Sequence, residues 1–284
     1  MTLLELSTPA GPAALLPTAG QLQVIHGPDN LSPRVDIGIG PALLAAASRS
    51  TRAGWMRIYR PAATVAFSRR DTLSPGFPAA VELAQNHSFE PVLRAPGGRA
   101  AAYHGGALCL DLVVSADDPT SAAMRRFEDL SALLVGALQS LGVDAQVGEL
   151  PAEYCPGRFS VHAQGMKLVG SAQRLAKSAW LLGAVILVEG GDPVRNVITD
   201  VYRALDQPLD VRTVGALEDL VGGVSVEDVE SALWAQFERH AIPLTESPTL
   251  PWLHERAAAA AFDHPALPAR ASAQMSLGGS PVRV

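Results

Sequence analysis

The chain has 284 residues, 48% of them hydrophobic, so it can bury the core of one large domain or two small ones. Its 22 basic and 28 acidic residues give a net charge of -6, and no basic run indicates a nucleic-acid site. The longest apolar run, residues 179–188, is too short to cross a bilayer, and the N-terminal residues lack the basic region of a secretory signal. We therefore expect a cytoplasmic globular protein that binds neither nucleic acid nor membrane.

The N-terminal part predicts a helix and two strands. Residues 1–33 are rich in Pro, Gly and Ala and predict a loosely attached segment, with ordered structure beginning near Arg34. Pro41 to Arg49 places a proline in a first-turn position before strong helix formers, which predicts a helix. The alternating runs at 56–60 and 64–68 then predict two paired strands.

The next elements surround a glycine-rich bend. Pro78 to Asn86 predicts a helix, and the segment that begins at Glu90 is extended. The bend from Arg94 to His104 interrupts this segment, and the apolar run from Ala107 to Val114 predicts the strand that closes it. We therefore expect strand, loop and strand in that order.

The middle of the chain predicts a long helix followed by a hairpin. Ser121 to Leu141 carries apolar residues at three- and four-residue spacing, as a helix that covers a sheet does. These residues are Met124, Phe127, Leu130, Leu134, Leu138 and Leu141. The runs on either side of Ala163 to Gly165 predict a hairpin with its turn at those residues, and Trp180 to Val188 predicts the next strand.

The chain after Val194 predicts helices and loops. In the segment 225–240, Ser225 and Asp228 have the spacing of a capping box at a helix start. The expected buried stripe of that helix is Val226, Val229, Leu233 and Phe237. Residues after Ala271 predict a disordered C-terminal end.

These elements predict a mixed α/β (α+β) fold with a central mixed, largely antiparallel sheet flanked by helices and a small helical C-terminal portion. The Pro-rich stretch near Ile242 is the best candidate boundary. We expect an N-terminal segment at 1–33, the main domain at 34–240, and a partly disordered C-terminal extension at 241–284.

Two stretches carry the residues that suggest chemistry. The bend from Arg94 to His104 combines two glycines with two arginines and a histidine, and glycines let backbone approach a ligand closely. The alternative is a strand bulge with solvated arginines, at about even odds. The bend lacks the spacing of a phosphate-binding P-loop.

The second stretch places Cys155 twelve residues ahead of Lys167. Cysteine is a useful nucleophile only as thiolate, and a nearby lysine lowers its pKa. A free cysteine is more often a small buried hydrophobe, and this remains the interpretation of Cys109 within its apolar strand. Cys155, by contrast, precedes Pro156 and Gly157, so we expect it in a turn where the thiol reaches a cleft.

Together the two stretches resemble the biotin and lipoate protein ligase superfamily, in its lipoate-ligase and octanoyltransferase branch. The residues that match the family's arginine, glycine-rich and histidine loop are Arg94, Gly97, Gly98, Arg99, Ala100 and His104. The sequence GMKLVGSAQR at 165–174 resembles the family's second motif. The chain departs from the family in having Leu93 before Arg94 rather than a second arginine, and Gly105 where an acidic residue often follows the histidine.

The resemblance implies site residues and an activity. The lysine matching Lys167 would bind the acyl carbonyl or the activated carboxylate. A cysteine matching Cys155 marks the transferase members, and we expect it to be the nucleophile. The residues expected to bind substrate are Arg94, Gly97, Gly98, Arg99, His104, Gly170, Ser171 and Ala172. The main domain at 34–240 would then be catalytic and would move an octanoyl or lipoyl group from an acyl carrier to a lysine of a lipoyl domain or glycine cleavage H protein.

Two alternatives stay open at this point. The transferase would need no cofactor or metal, whereas an ATP-dependent lipoate-protein ligase would need ATP and magnesium. About 40 residues follow His240, fewer than a typical domain needs, which favours the transferase over ligases with an extra C-terminal domain. A non-catalytic acyl-binding protein is the third interpretation. The acyl donor, the chain preference and the oligomeric state are not predicted.

Overall fold

A computed structural model describes residues 13–17, 20–27, 31–248, 250–261 and 266–267. Within them the chain forms a mixed α/β fold, as predicted. The strands are β1 Leu22–His26, β2 Gly54–Tyr59, β3 Thr64–Phe67, β4 Glu90–Leu93, β5 Ala101–Tyr103, β6 Ala107–Ser115, β7 Gln146–Val147, β8 Val161–Ala163, β9 Met166–Leu175, β10 Ala179–Leu187 and β11 Leu244–Glu246. The α-helices are α1 Pro33–Ala47, α2 Phe77–Asn86, α3 Ala123–Ser140, α4 Gly191–Ala204, α5 Val226–Arg239 and α6 Leu253–Ala260.

The larger sheet has eight strands in the order β11-β1-β2-β6-β10-β9-β8-β7. β1 pairs in parallel with both β11 and β2, while the remaining pairs are antiparallel. The prediction of a mixed, largely antiparallel sheet is confirmed. Its central strands β6 and β10 are almost wholly buried, because helices cover both faces.

The smaller sheet has three strands in the order β4-β3-β5. β3 and β4 pair in parallel, and β3 and β5 are antiparallel. The glycine-rich bend therefore connects the two edge strands of this sheet, β4 and β5. Since β2 lies in the larger sheet and β3 in the smaller one, the prediction that these two strands pair with each other is wrong.

The helices pack in three groups against the two sheets. α3 and α5 cover one face, where the long helix buries Leu130, Leu134 and Leu138 as predicted. α2 and α4 pack with the smaller sheet, and α1 packs with α6. Met124 of the predicted stripe is instead 48% exposed, because it lies in the first turn of α3, before the helix reaches the sheet.

The start of ordered structure and the start of α1 both differ from the prediction. Ordered structure does not begin near Arg34, because β1 lies before it, and Leu22 in that strand is fully buried. α1 begins at Pro33 rather than at Pro41, which lies inside the helix. Gly38 lets α6 pack closely against α1, since a Cβ there would lie 2.0 Å from the Ala257 carbonyl oxygen of α6.

The hairpin and the capping box have the predicted form. β8 and β9 pair antiparallel around Gln164 and Gly165, which both have positive φ angles, as a two-residue hairpin turn of type I′ requires. Ser225 and Asp228 exchange the two hydrogen bonds of a capping box at the start of α5. The expected disorder after Ala271 lies outside the described residues, and the limits at 34 and 240 stay predictions, although β1 and β11 lie beyond them in the same sheet.

Candidate active site

A cavity of about 200 Å³ lies between the glycine-rich bend, the turn that carries Cys155, and one face of the larger sheet. The bend contributes Arg94 and Pro96 to its wall, and the turn contributes Tyr154 and Cys155. Strand β9 contributes Lys167 together with Gly170, Ser171 and Ala172. Six of the ten predicted site residues thus line one cavity.

Cys155 lies in the turn that the sequence predicts. Its φ of 41° is in the left-handed region, which few residues other than glycine adopt. The surrounding contacts hold this conformation: the Cys155 amide donates a 2.5 Å hydrogen bond to the Tyr202 hydroxyl, which donates in turn to the Ala100 carbonyl at 3.0 Å. Tyr202 of α4 therefore ties the cysteine turn to the glycine-rich bend. Strained backbone held by its surroundings is common at functional sites.

The thiol of Cys155 receives two hydrogen bonds from the bend. Arg94 Nη2 lies 3.2 Å from the sulfur and the Arg99 amide nitrogen lies 3.4 Å from it. Burial raises the pKa of the thiol, but the positive charges of Arg94 and Lys167 and the two hydrogen bonds outweigh burial, so the pKa of Cys155 is lowered overall. The side chain is half-buried and borders the cavity, so it is both activated and accessible.

Lys167 is almost fully buried and uses all three of its N–H groups on the cysteine turn. Its Nζ donates to Glu153 Oε1 at 3.1 Å, to the Tyr154 carbonyl at 2.9 Å and to the Cys155 carbonyl at 2.8 Å. Glu153, also buried, accepts further hydrogen bonds from the Gly157 amide and the Ser160 hydroxyl. The lysine thus holds the backbone of the turn, while Arg94 is the cation that touches the sulfur.

The glycines of the bend differ in their surroundings. Gly98 has a φ of 101°, and a Cβ there would lie 2.8 Å from Cys155 Sγ and 2.6 Å from Arg94 Nη2. A Cβ on Gly97 would meet nothing within 4 Å. Only Gly98 of this pair is required by close packing against the thiol. The side chain of Arg99 points elsewhere, with Nη1 at 3.7 Å from the buried carboxylate of Asp71.

His104 lies apart from the thiol and does not border the cavity. Its Nδ1 accepts from the Gly106 amide at 3.0 Å, and its Nε2 lies 3.0 Å from the Gly190 carbonyl. These two contacts fit a neutral imidazole with the proton on Nε2. The histidine therefore holds the turn between β5 and β6 against the start of α4.

Several residues of the site were missed by sequence reasoning. Glu153 and Tyr202 support the cysteine turn, and Asp36 and Asp111 border the far part of the cavity. Glu153 lies two residues before Cys155 in the sequence, and an acidic residue there is a signal for a partner of Lys167. The other three reach the site through tertiary contacts that leave no local pattern.

The described ranges contain no group of three or more His, Cys, Asp or Glu side chains placed to hold a metal ion. In the same ranges, no helix has both the length and the apolar character needed to cross a membrane.

Comparison with curated proteins gives related sequences of low identity. The chain is 27% identical over 182 residues to the octanoyl-[GcvH]:protein N-octanoyltransferase of Geobacillus kaustophilus, a match covering 60% of this chain and 64% of that protein. It is 25% identical over 154 residues to the lipoyl-[GcvH]:protein N-lipoyltransferase of Listeria monocytogenes, covering 54% of each. The chain thus spans just under two thirds of the first relative's length and about half of the second's.

Comparison with solved structures shows the same fold in lipoate-protein ligases. A crystal structure of lipoate-protein ligase A bound with ATP superposes with a TM-score of 0.65 at 23% identity, over 84% of this chain and 92% of that one. A bipartite lipoate protein ligase from Thermoplasma acidophilum gives 0.62 at 20% identity, over 84% and 91%. The family model of the lipoyl protein ligase A/B catalytic domain matches residues 39–238 of this chain. Because the match covers most of the chain, the chain belongs to that family.

Proposed function

We propose that this protein is an acyltransferase that carries an octanoyl or lipoyl group on Cys155 as a thioester and delivers it to a lysine of an acceptor protein. The observation that carries the proposal is the thiol of Cys155 at the cavity wall, with Arg94 Nη2 at 3.2 Å and a lowered pKa. A thiolate next to a fixed cation is an activated nucleophile. The names of the curated relatives give the acyl groups.

The reaction takes place in two balanced steps. The Cys155 thiolate attacks the carbonyl carbon of the donor's acyl group, the new C–S bond forms, and the donor's thiolate or amine leaves, taking up a proton when it is an amine. The neutral amine of the acceptor lysine then attacks the thioester, the C–S bond breaks, and the amine loses a proton as the amide forms. Group transfer from an already acylated donor consumes no nucleotide, so the transferase needs no cofactor.

The remaining site residues have supporting roles in this proposal. Gly170, Ser171 and Ala172 form the floor under the acyl chain, since small residues there leave room for it. Lys167 reaches the oxyanion by exchanging one of its carbonyl contacts, and a fixed ammonium there stabilises developing negative charge. Arg94 and the Arg99 amide stabilise the thiolate before attack and after departure. Gly97 and Gly98 belong to the bend, where Gly98 packs against the thiol, and His104 holds the turn after β5 against the start of α4.

The partners follow from the relatives' names. Each name describes transfer of an acyl group from acylated GcvH to a protein. We therefore propose an acylated GcvH or another acyl carrier as the donor. The proposed acceptor is a lipoyl-domain protein or GcvH. The catalytic part is the domain predicted at 34–240, and the protein acts in the cytoplasm.

The test is transfer of octanoyl from an octanoylated carrier to a lipoyl domain without ATP, followed by intact mass of the acceptor. We expect the parent to transfer, Cys155→Ala to lose at least a thousandfold in rate, and Cys109→Ala to retain the parent's rate. Cys109 is the matched control because it is a fully buried thiol whose pKa is raised by burial. Transfer by Cys155→Ala at the parent's rate, and only with ATP, would replace the proposal with the ligase. Acyl binding with no product under either condition would replace it with a non-catalytic binding protein.

A further inference from the structure

Asp111 is an ionisable side chain at the far part of the acyl cavity that the proposed reaction does not use. Its side chain is 16% exposed and lines the cavity together with Asp36 and Tyr59. Its nearest charged partner among the described residues is Arg57, with Nη1 at 3.9 Å, beyond hydrogen-bond distance. Burial raises the pKa of Asp111 to about 6, although Arg57 opposes the shift. The carboxyl therefore faces the cavity with little compensation for its lost hydration.

Asp111 is not required to neutralise Arg57. The Arg57 guanidinium already forms a hydrogen-bonded ion pair with Asp36 and stacks over the Tyr59 ring at 3.5 Å. The carboxyl of Asp111 lies instead towards the neighbouring strand, over Gly183 of β10. A Cβ on Gly183 would approach Asp111 Oδ1 to 2.9 Å, and one on Gly40 of α1 would approach Oδ2 to 3.5 Å. The carboxyl occupies the space that these two glycines leave open.

The strand register places Asp111 across the sheet from the thiol end of the cavity. Ala172 of β9 pairs with Gly183 of β10, which pairs with Asp111 of β6, so the three lie in one row on one face. Lys167 Nζ holds the Cys155 carbonyl, and a Cβ on Gly170 would lie 3.9 Å from that Nζ, so the turn end of the cavity lies over Gly170, two residues before Ala172. Because two residues rise about 6.7 Å along β9 and strands lie about 4.8 Å apart, the carboxyl over β10 lies roughly 8 Å from Gly170. An extended eight-carbon chain is about 9 Å long, given bonds near 1.5 Å.

We propose that Asp111 sets the length limit of the acyl chain, by placing its carboxyl where the ninth and tenth carbons of a longer chain would lie. This inference rests on the proposed acyl transfer and names the residue that selects its substrate. An octanoyl chain ends short of the carboxyl and packs on Gly170, Ala172 and Val185. Longer chains must either displace the carboxyl from the space beside Gly40 and Gly183 or strip its remaining water, and both oppose binding.

The expected effect can be estimated from the apolar surface involved. Burying two further methylenes favours binding by about 15-fold where room exists for them. Asp111→Ala removes the carboxyl and creates room for roughly two carbons while leaving the Asp36 and Arg57 pair in place. We therefore expect the affinity for decanoate relative to octanoate to rise about tenfold in Asp111→Ala. Asp111→Asn keeps the size and removes the charge, so a smaller rise of the same sign is expected.

The experiment is equilibrium binding of octanoate and decanoate to the full chain, followed by competition between octanoyl and decanoyl carriers in the transfer assay. Asp129→Ala is the matched control, because Asp129 is a buried aspartate paired with Arg125 in α3 and lies outside the cavity. The Asp129→Ala variant should keep the parent's ratio of decanoate affinity to octanoate affinity. Since binding needs no turnover, failure of transfer alone would reject the proposed function and leave the binding ratio to decide the length limit.

An unchanged ratio in both folded Asp111 variants would overturn the inference, as would a parent that binds decanoate better than octanoate. Circular dichroism and thermal melting establish that the variants are folded. If Asp111→Ala does not fold, Asp111→Asn decides, since the isosteric change removes no packing.

Discussion

One cation touches the sulfur of Cys155, the proposed nucleophile. The sequence places Lys167 twelve residues away and suggests the lysine for this role, yet Arg94 Nη2 is the group at 3.2 Å from the thiol. Lys167 acts on the same turn from the backbone side, through two carbonyl oxygens and Glu153. Arg94 and Cys155 are 61 residues apart in the sequence and meet only in the folded chain. Sequence distance therefore could not show which of the two cations contacts the sulfur.

Arg94→Met should raise the pKa of Cys155, because the loss of this charge and its hydrogen bond leaves burial as the larger effect. The parent's thiolate persists to lower pH than that of an ordinary cysteine. In the variant, the rise of the alkylation rate with pH should therefore shift to higher pH. At pH 7 we expect a slower reaction with iodoacetamide, because a smaller fraction of the thiol is ionised. Arg174→Met is the control, since Arg174 contacts the Ala95 carbonyl and not the sulfur. Equal profiles for parent and Arg94→Met would remove Arg94 from thiolate stabilisation.

Lys167→Met should destabilise the protein as well as slow transfer. Both Lys167 and Glu153 are buried, and removing one partner leaves the other charge uncompensated, at a cost of about 3 to 5 kcal/mol. The double variant Lys167→Met, Glu153→Gln should recover much of the loss in urea unfolding while transfer stays slow by about a hundredfold or more. Normal transfer by the folded double variant would show that the ammonium acts only on the fold.

At the scale of elements, the site is assembled by the ends of two sheets. The bend joins β4 to β5 of the smaller sheet, the hairpin of β8 and β9 belongs to the larger one, and Tyr202 of α4 ties the bend to the cysteine turn that precedes β8. The hairpin was predictable because Gln164 and Gly165 fit its turn and the flanking runs are short. The separation of β2 from β3 into two sheets was not, since strand pairing depends on contacts far apart in the chain.

Gly98→Val should block the bend from closing over the thiol. The new side chain would clash with Cys155 Sγ and Arg94 Nη2 and would adopt a φ that L residues avoid, so we expect a loss of about 1 to 3 kcal/mol in stability and at least tenfold in acyl loading. Gly97→Val, whose Cβ meets nothing within 4 Å, should keep most of both. Equal acyl loading in the two variants, measured by intact mass, would mean that the bend is not part of the acyl site.

At the scale of the whole molecule, one sheet unites segments that the sequence assigns to separate regions. β1 precedes the predicted start at Arg34 and β11 follows the predicted end at His240, yet they pair in parallel with each other. Both strands are short and lie in Pro-rich surroundings, so neither carries a pattern strong enough to predict it. The motifs at 94–104 and 165–174, by contrast, hold residues that line the cavity beside Cys155, and both lie within the segment that the family model matches.

The proposed transfer depends on Cys155 as the residue that carries the acyl group. The most direct measurement is to incubate the protein with an octanoyl thioester carrier without ATP, isolate it, and map the added mass by peptide analysis before and after hydroxylamine. We expect one octanoyl mass on the peptide that contains Cys155, its removal by hydroxylamine, and its quantitative transfer to a lipoyl domain added afterwards. An octanoyl mass on another residue, or an acyl-Cys155 protein that passes nothing to the acceptor while transfer continues in Cys155→Ala, would show that Cys155 is not the acyl carrier.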